Sequence, residues 1–460
     1  GCLAGSVATA RRADPLGGHS VSDLRERTIA IDKARVWHPY TEMSRYRADV
    51  EPLVVVRAKG SRLYDADGCR YIDGNASWWT STLGHNHPRL VAALTRQADQ
   101  LCHTSLAGIA HPAAADLAEH ICAVAPAGLE HVFYSDNGST AVEVGMKLAL
   151  QYWAQNGRSD RCAFIALENA FHGETLGVTA LGGVEVFREP FSKVLLECLR
   201  IPSPAGDCAA SLDRLRELLS ENGDRIAALV VESMIQGAAG MQIYDPEFLR
   251  QARTLCTEHD VFLVCDEVFA GYGRTGPMWA CEHADVVPDI LCTAKGFSGG
   301  MLPMAATLTT QEVFDAFLGD YSELKTFFHG HSYTGNQLGS AASLASIGLL
   351  KAAASRRKKL AANLHTEAKR LWSLSQVGDI RQAGCVLAVE LVRDWRTREP
   401  FKLAEQAGIR VCDGLAKRGV LTRPVGNVIV IMPPFCTTQQ QVKKIFSALY
   451  DSIEESLNKP

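Results

Sequence analysis

Between residues 131 and 310 the chain alternates short apolar runs with longer segments of helical periodicity, and this alternation constrains the fold more than any other feature. HVFYS (131–135), CAFIAL (162–167), IAALVVES (226–233), VFLVCDE (261–267), DILCTA (289–294) and MAATLTT (304–310) read as strands buried on both faces. Segments such as TAVEVGMKLALQYWAQ and YDPEFLRQARTLCTEHD lie between them and read as helices. Buried strands separated by helices imply an α/β fold whose large domain is a mainly parallel sheet flanked by helices. From about residue 350 the pattern changes. A Lys/Arg/Ala/Leu-rich helix leads into GCVLAVELV and VIVIMPPF, the strands of a smaller α+β domain. LVVVRAKGSRLYDADGCRYIDG reads as a hairpin-rich meander that joins it. The expected layout is an extension over 1–25, part of the small domain over 26–84, the large domain over 85–350 and the rest of the small domain over 351–460.

Composition narrows the class. A hydrophobic fraction of 47% among 460 residues allows a large core. A net charge of −4 without a basic or acidic block gives no footing for nucleic acid or a membrane surface. The 14 cysteines show no C-x-x-C spacing, so they read as free thiols in a reducing compartment. Residues 1–20 are rich in Ala, Gly and Ser, with Arg11 and Arg12, and read as a poorly ordered extension or the remnant of a transit peptide. The expected location is the cytoplasm, or a mitochondrion if that segment is such a remnant.

In open α/β sheets, ligands sit at the carboxyl ends of strands. Asp136-Asn-Gly-Ser-Thr follows the first strand and opens a helix, so it is either a plain N-cap or a place where free N–H groups meet an anion. Asp266 and Glu267 end the VFLVCDE run; a carboxylate there is a structural cap or a fixed anion facing a cationic ligand. GYGRTG (271–276) follows a strand, but Pro277 and the lack of a helix argue against a dinucleotide loop. GHNHP (84–88) and HGHS (329–332) lack further ligands at metal spacing, so no metal is expected. Lys295, in ILCTAKGFSGG, sits where a strand end meets a glycine-rich loop. A lysine, a fixed acid and an anion-binding helix start together form the set that pyridoxal 5'-phosphate requires.

Three blocks now carry a resemblance. VCDEVFAGYGRTGPMWACEHADVVPDILCTAKGFSGGMLPMAA, NAFHGETLGVTALGG and FFHGHSYTGNQLGSAASLASI are similar to the core of the class III (ω-) aminotransferases of fold type I. WHPYTEM (37–43), Ser77-Trp78-Trp79 and TRPVGNVIVIMPPF (422–435) further resemble the branch of that family that aminates 8-amino-7-oxononanoate in biotin synthesis. The resemblance implies that Lys295 forms the Schiff base with the cofactor and moves the proton, and that Asp266 keeps the pyridine nitrogen protonated. Gly138 and Ser139 would bind the phosphate, joined by His331 and Ser332 from the second subunit of a homodimer. Phe171 would lie over the ring, beside His172, with Glu232 nearby. Tyr40, Trp78, Phe171 and Gly330 would line the pocket for small-molecule substrates, and Arg423 would pair with the acceptor's carboxylate. The donor implied is S-adenosylmethionine, with lysine the alternative; other ω-aminotransferases of diamines or ω-amino acids are the rival reading. Phe171 replaces the family's usual Tyr, and Val425 and Val430 replace Phe and Tyr common among members, so donor identity is where this chain departs.

Overall fold

The computed structural model describes residues 21–457. The chain forms two compact units, residues 21–58 with 63–70, and residues 59–62 with 71–457. In the first unit the helix Val21–Arg35 is followed by the short helix Met43–Ala48. Asp32 joins them, accepting from the Tyr46 hydroxyl at 2.5 Å and from His38 Nε2 at 2.8 Å. The His38 and Tyr46 rings lie 4.4 Å apart. Residues 1–20, most of the expected extension, lie outside the described residues, and Val21–Arg35 is helical.

The second unit is built on a seven-stranded sheet. Its order is Leu129–Ser135, Ala305–Thr310, Ile290–Thr293, Phe262–Asp266, Ile226–Glu232, Ala163–Leu167 and Cys198–Ile201. Ala305–Thr310 is antiparallel to both its neighbours, so the other six strands share one direction. The apolar runs are continuous because both faces are covered. Phe164, Val230 and Val264 pack into one cluster with the helix Gly138–Gln155, while Ile165, Val231 and Leu263 pack into the other. Each such buried side chain contributes about 1.5–3 kcal/mol. The six apolar runs of the sequence match these strands to within two residues at either end. The short strand Cys198–Ile201 adds an edge that the sequence pattern does not show.

A second, antiparallel sheet takes Val377–Ala383, Val386–Leu391, Val428–Ile431 and Pro424–Val425 in that order. Gly384, at φ 56°, turns the first hairpin, where a side chain would collide with the 274–276 backbone. The strand Arg70–Asp73 pairs, through Ile72 and Asp73, with Val420 and Leu421. No single helix among the described residues is long and apolar enough to cross a membrane.

The close packing of helix on sheet is testable. A Cβ on Gly145 would meet Cys292 Sγ at 3.1 Å and Ile290 at 3.2 Å, whereas one on the exposed Gly348 meets nothing within 4 Å. Gly145→Val should therefore lower stability by about 1–3 kcal/mol through overpacking. Gly348→Ala should raise it by up to about 1 kcal/mol through helix propensity. Thermal melts of both variants check the opposite signs.

Candidate active site

The shared strand direction brings Ser135, Leu167, Glu232, Asp266 and Thr293 to the same edge of the sheet, and the candidate residues follow or occupy those ends. Glu232 and Asp266 are register partners on adjacent parallel strands. Asp266 Oδ2 accepts from Nδ1 of the buried His172 at 2.8 Å, and Oδ1 accepts from Val268 N at 2.9 Å. Its orientation is thus fixed from two sides. Glu232 accepts from Gly237 N at 2.9 Å and Phe171 N at 3.1 Å. Burial is the main reason its carboxyl is pushed up to about 7; His172 opposes that rise and Asp266 adds to it.

Lys295 follows the strand Ile290–Thr293 with φ 41°, a left-handed conformation uncommon for a residue with a side chain. Burial lowers its amine below the ordinary lysine value, and the negative charges of Asp266 and Glu232 work against that. Its Nζ lies 5.2 Å from the centre of the Trp79 ring. The glycines of the loop beyond it leave no room for a side chain. A Cβ on Gly296 would meet Thr82 at 2.8 Å, and one on Gly300 would meet Ser81 Oγ at 2.7 Å.

The candidate anion-binding element is the start of Gly138–Gln155. Asn137 and Thr140 cap each other, Asn137 Oδ1 accepting from Thr140 N at 3.0 Å. The Gly138 and Ser139 N–H groups find no acceptor among the described residues, as expected for the first turn of a helix. Ser139 Oγ accepts from Glu174 N at 3.2 Å. Gly173, at φ 121°, passes so close that a Cβ there would come within 2.1 Å of Ser139 Oγ. This contact ties the His172 segment to the helix start.

The strand Arg70–Asp73 leads to a third element. Ala76, Ser77, Trp78 and Trp79 have φ of 50°, 46°, 65° and 72°. Left-handed helical geometry costs an L-residue about 1–2 kcal/mol. Trp78 is 38% exposed, and the Arg423 guanidinium lies 4.7 Å over its ring. Phe171 packs edge-on against Phe187 at 5.8 Å. His331 Nε2 lies 3.3 Å from Asp136 Oδ2 of the same chain, while Gly330 and Ser332 are exposed beside it. Tyr40 belongs to the first unit, at φ 51° and 48% exposed. Val430 is buried in the second sheet opposite Ala388. Trp79 and His85 stand in the sequence motifs SWW and GHNHP without a role assigned to either of them there, and Asp73 carries no sequence signal.

Residues 44–453 match the model of the family described as aminotransferase class-III. The chain belongs to the class III aminotransferases. It is 42% identical to the adenosylmethionine-8-amino-7-oxononanoate aminotransferase of Geobacter sulfurreducens over 93% of this chain and 96% of that one. The crystal structure of the enzyme of the same name from Methanocaldococcus jannaschii is 35% identical with a TM-score of 0.91, covering 94% of this chain and 99% of that one. An amine transaminase from an uncultivated Pseudomonas species, in its PLP-bound form, is 32% identical with a TM-score of 0.86, covering 92% of this chain and 99% of that one. The cofactor of this class III aminotransferase is pyridoxal 5'-phosphate. The donor set fits it: an amine held below its ordinary pKa, a carboxylate fixed by two hydrogen bonds, and two N–H groups at a helix start.

Glu232 gives a pH signature. Its folded-state value of about 7 exceeds the ordinary 4.5, so between these values the folded state holds more protons than the unfolded one. Stability falls as pH rises through that window and is level above it. Glu232→Gln of the apo-protein should flatten the decline of melting temperature between pH 5 and 7, removing on the order of 1 kcal/mol per pH unit. A decline as steep as wild type refutes the assignment.

Proposed function

We propose that this aminotransferase converts 8-amino-7-oxononanoate to 7,8-diaminononanoate in biotin biosynthesis, with S-adenosylmethionine as amino donor. The observation that carries the reading is the coincidence of Trp78 and the Arg423 guanidinium, 4.7 Å apart, in the same unit as Lys295, Asp266 and Glu232. A guanidinium over an aromatic ring presents its planar fork to a carboxylate, the group an oxononanoate carries at the end of its chain. Curated relatives from bacteria and an archaeon, named for this transfer from adenosylmethionine, support the choice.

Pyridoxal 5'-phosphate, when bound, supplies an electron sink and carries the amino group between donor and acceptor. Lys295 is proposed as the residue that holds the cofactor and then takes and returns the proton at the reacting carbon, a role in the same direction as the lowering of its pKa by burial. Asp266 is proposed to hold the pyridine nitrogen protonated; His172, donating from Nδ1, fixes its direction. Gly138 and Ser139 would hold the phosphate through their N–H groups, and Phe171 would cover the ring. Glu232 holds the Phe171 backbone in place through its second carboxylate oxygen. Tyr40, Trp78 and Gly330 would face substrate.

We further propose a homodimer in which His331 and Ser332 serve the partner's phosphate. The support is the segment that carries them: over 321–333, Tyr321, Leu324, Phe328 and Tyr333 are 60–95% exposed, large side chains that a second copy would cover. The cytoplasm is the proposed location.

Lysine is the alternative donor, because Phe171 and Val430 depart from the tyrosines usual in the family. One experiment separates the readings. Holoenzyme is mixed separately with diaminononanoate, adenosylmethionine and lysine, and the visible band of the cofactor is followed. Diaminononanoate and adenosylmethionine should bleach it. No response to diaminononanoate contradicts the biotin reading, and a response to lysine alone among the donors replaces adenosylmethionine. Lys295→Ala should lose turnover by at least about 10⁴-fold, because one amine serves both attachment and proton transfer.

A further inference from the structure

The segment Ala76–Trp79 is a complete left-handed helical turn made without glycine. Trp79 N donates to Asn75 O at 2.8 Å and Thr80 N to Ala76 O at 3.0 Å, the spacing of a helix with the opposite hand. L-residues do not hold that geometry unaided, so surrounding groups must enforce it.

The enforcing group is Asp73, which is 1% exposed. Its Oδ1 accepts from Ser77 N at 3.0 Å and Asn75 N at 3.3 Å. Its Oδ2 accepts from the Ser77 hydroxyl at 2.8 Å and from His85 Nε2 at 2.8 Å. Both oxygens are therefore doubly used, three times by the turn and its entry, once by the histidine. His85 is itself anchored, its backbone exchanging hydrogen bonds with Gly60 at 2.7 and 3.0 Å. The exit is fixed from another side: the buried Arg274 donates to Trp79 O at 3.4 Å and Pro433 O at 2.9 Å. At the entry, Gly74 N donates to Leu421 O at 2.7 Å, and Leu421 lies two residues before Arg423.

The turn has two outputs. It sets Trp78 beneath the Arg423 guanidinium, and it sets Trp79 beside the Lys295 amine and 5.2 Å from Phe269. We propose that Asp73, locked by His85, is a positioning residue for substrate: through the strained turn it places the Trp78–Arg423 pair that receives the acceptor's carboxylate. The proposal rests on the reading that Trp78 and Arg423 face the acceptor. It assigns Asp73 no contact with substrate or cofactor.

The test is the kinetic split in Asp73→Asn holoenzyme. An amide keeps the volume but sets an N–H₂ group against donors that the carboxylate accepts from. KM for the amino acceptor should rise at least about 10-fold, while kcat and the cofactor's visible spectrum change by less than about 3-fold. Near-ultraviolet circular dichroism of the apo-protein should lose the part of its tryptophan signal that comes from the Trp78–Trp79 turn. Rescue distinguishes positioning from general damage. Glycine adopts left-handed geometry freely, so the double variant Asp73→Asn/Ala76→Gly should recover KM to within about 3-fold of wild type. His85→Gln, which keeps a donor for Asp73, should be milder than His85→Ala; this pair also serves if Asp73→Asn does not fold. An unchanged KM in Asp73→Asn and His85→Ala overturns the proposal, as does a loss of cofactor binding or kcat that Ala76→Gly does not repair. Wild-type turnover of the oxononanoate acceptor is measured alongside. Its failure would overturn the biotin reading, whereas the dichroism and its repair by Ala76→Gly test the turn independently.

Discussion

Three neighbouring parallel strands, Ile226–Glu232, Phe262–Asp266 and Ile290–Thr293, run in one direction, so two carboxylates and one lysine share a single edge of the sheet. The other features of the site follow from the need to make that edge tolerable. Like charges near one another and away from water are costly, so each carboxylate is tied down by backbone N–H groups or a histidine. The amine answers the same burial by favouring its neutral form. Chemistry that needs an uncharged lysine beside a fixed anion therefore emerges from strand register rather than from any one unusual residue.

Asp266 and Glu267 show how finely this is divided. They are adjacent, and their side chains serve different partners. Asp266 meets His172, whereas Glu267, with no exposed surface, accepts from Ala280 N at 2.9 Å and Cys281 N at 2.8 Å. Glu267 holds the 280–281 turn and is pushed up to about 7 by burial. One acid is aimed at the site, and the next closes a loop behind it.

Much of this was legible in the sequence, and the limits are physical. Strands buried on both faces announce themselves as unbroken apolar runs, which is why six of the seven appear. Cys198–Ile201 is four residues long and includes Arg200, so it lacks that signal. The acid, the lysine and the helix start are local motifs and could be read directly. The Asp73–His85 brace could not, because it depends on a left-handed turn that no propensity favours and on two residues twelve apart in the chain. Trp79 was hidden behind Trp78 for the same reason: only the turn decides which ring meets the lysine. GYGRTG matches a phosphate-loop pattern that Pro277 already argues against, and its residues serve packing. Gly273 is needed because a Cβ would come within 2.3 Å of Arg357 Nε, and the terminal nitrogens of Arg274 donate to the backbone carbonyls of Pro433 and Trp79. The pairing of His331 with Asp136, across almost two hundred residues, leaves no trace in either local sequence.

The central claim is that one buried amine, that of Lys295, is the attachment point of the cofactor. The direct test is to treat holoenzyme with borohydride, digest it and locate the phosphopyridoxyl group by peptide mass spectrometry. The account predicts near-stoichiometric modification of Lys295 alone. Modification spread over several lysines, or a labelled peptide that does not contain Lys295, would contradict it.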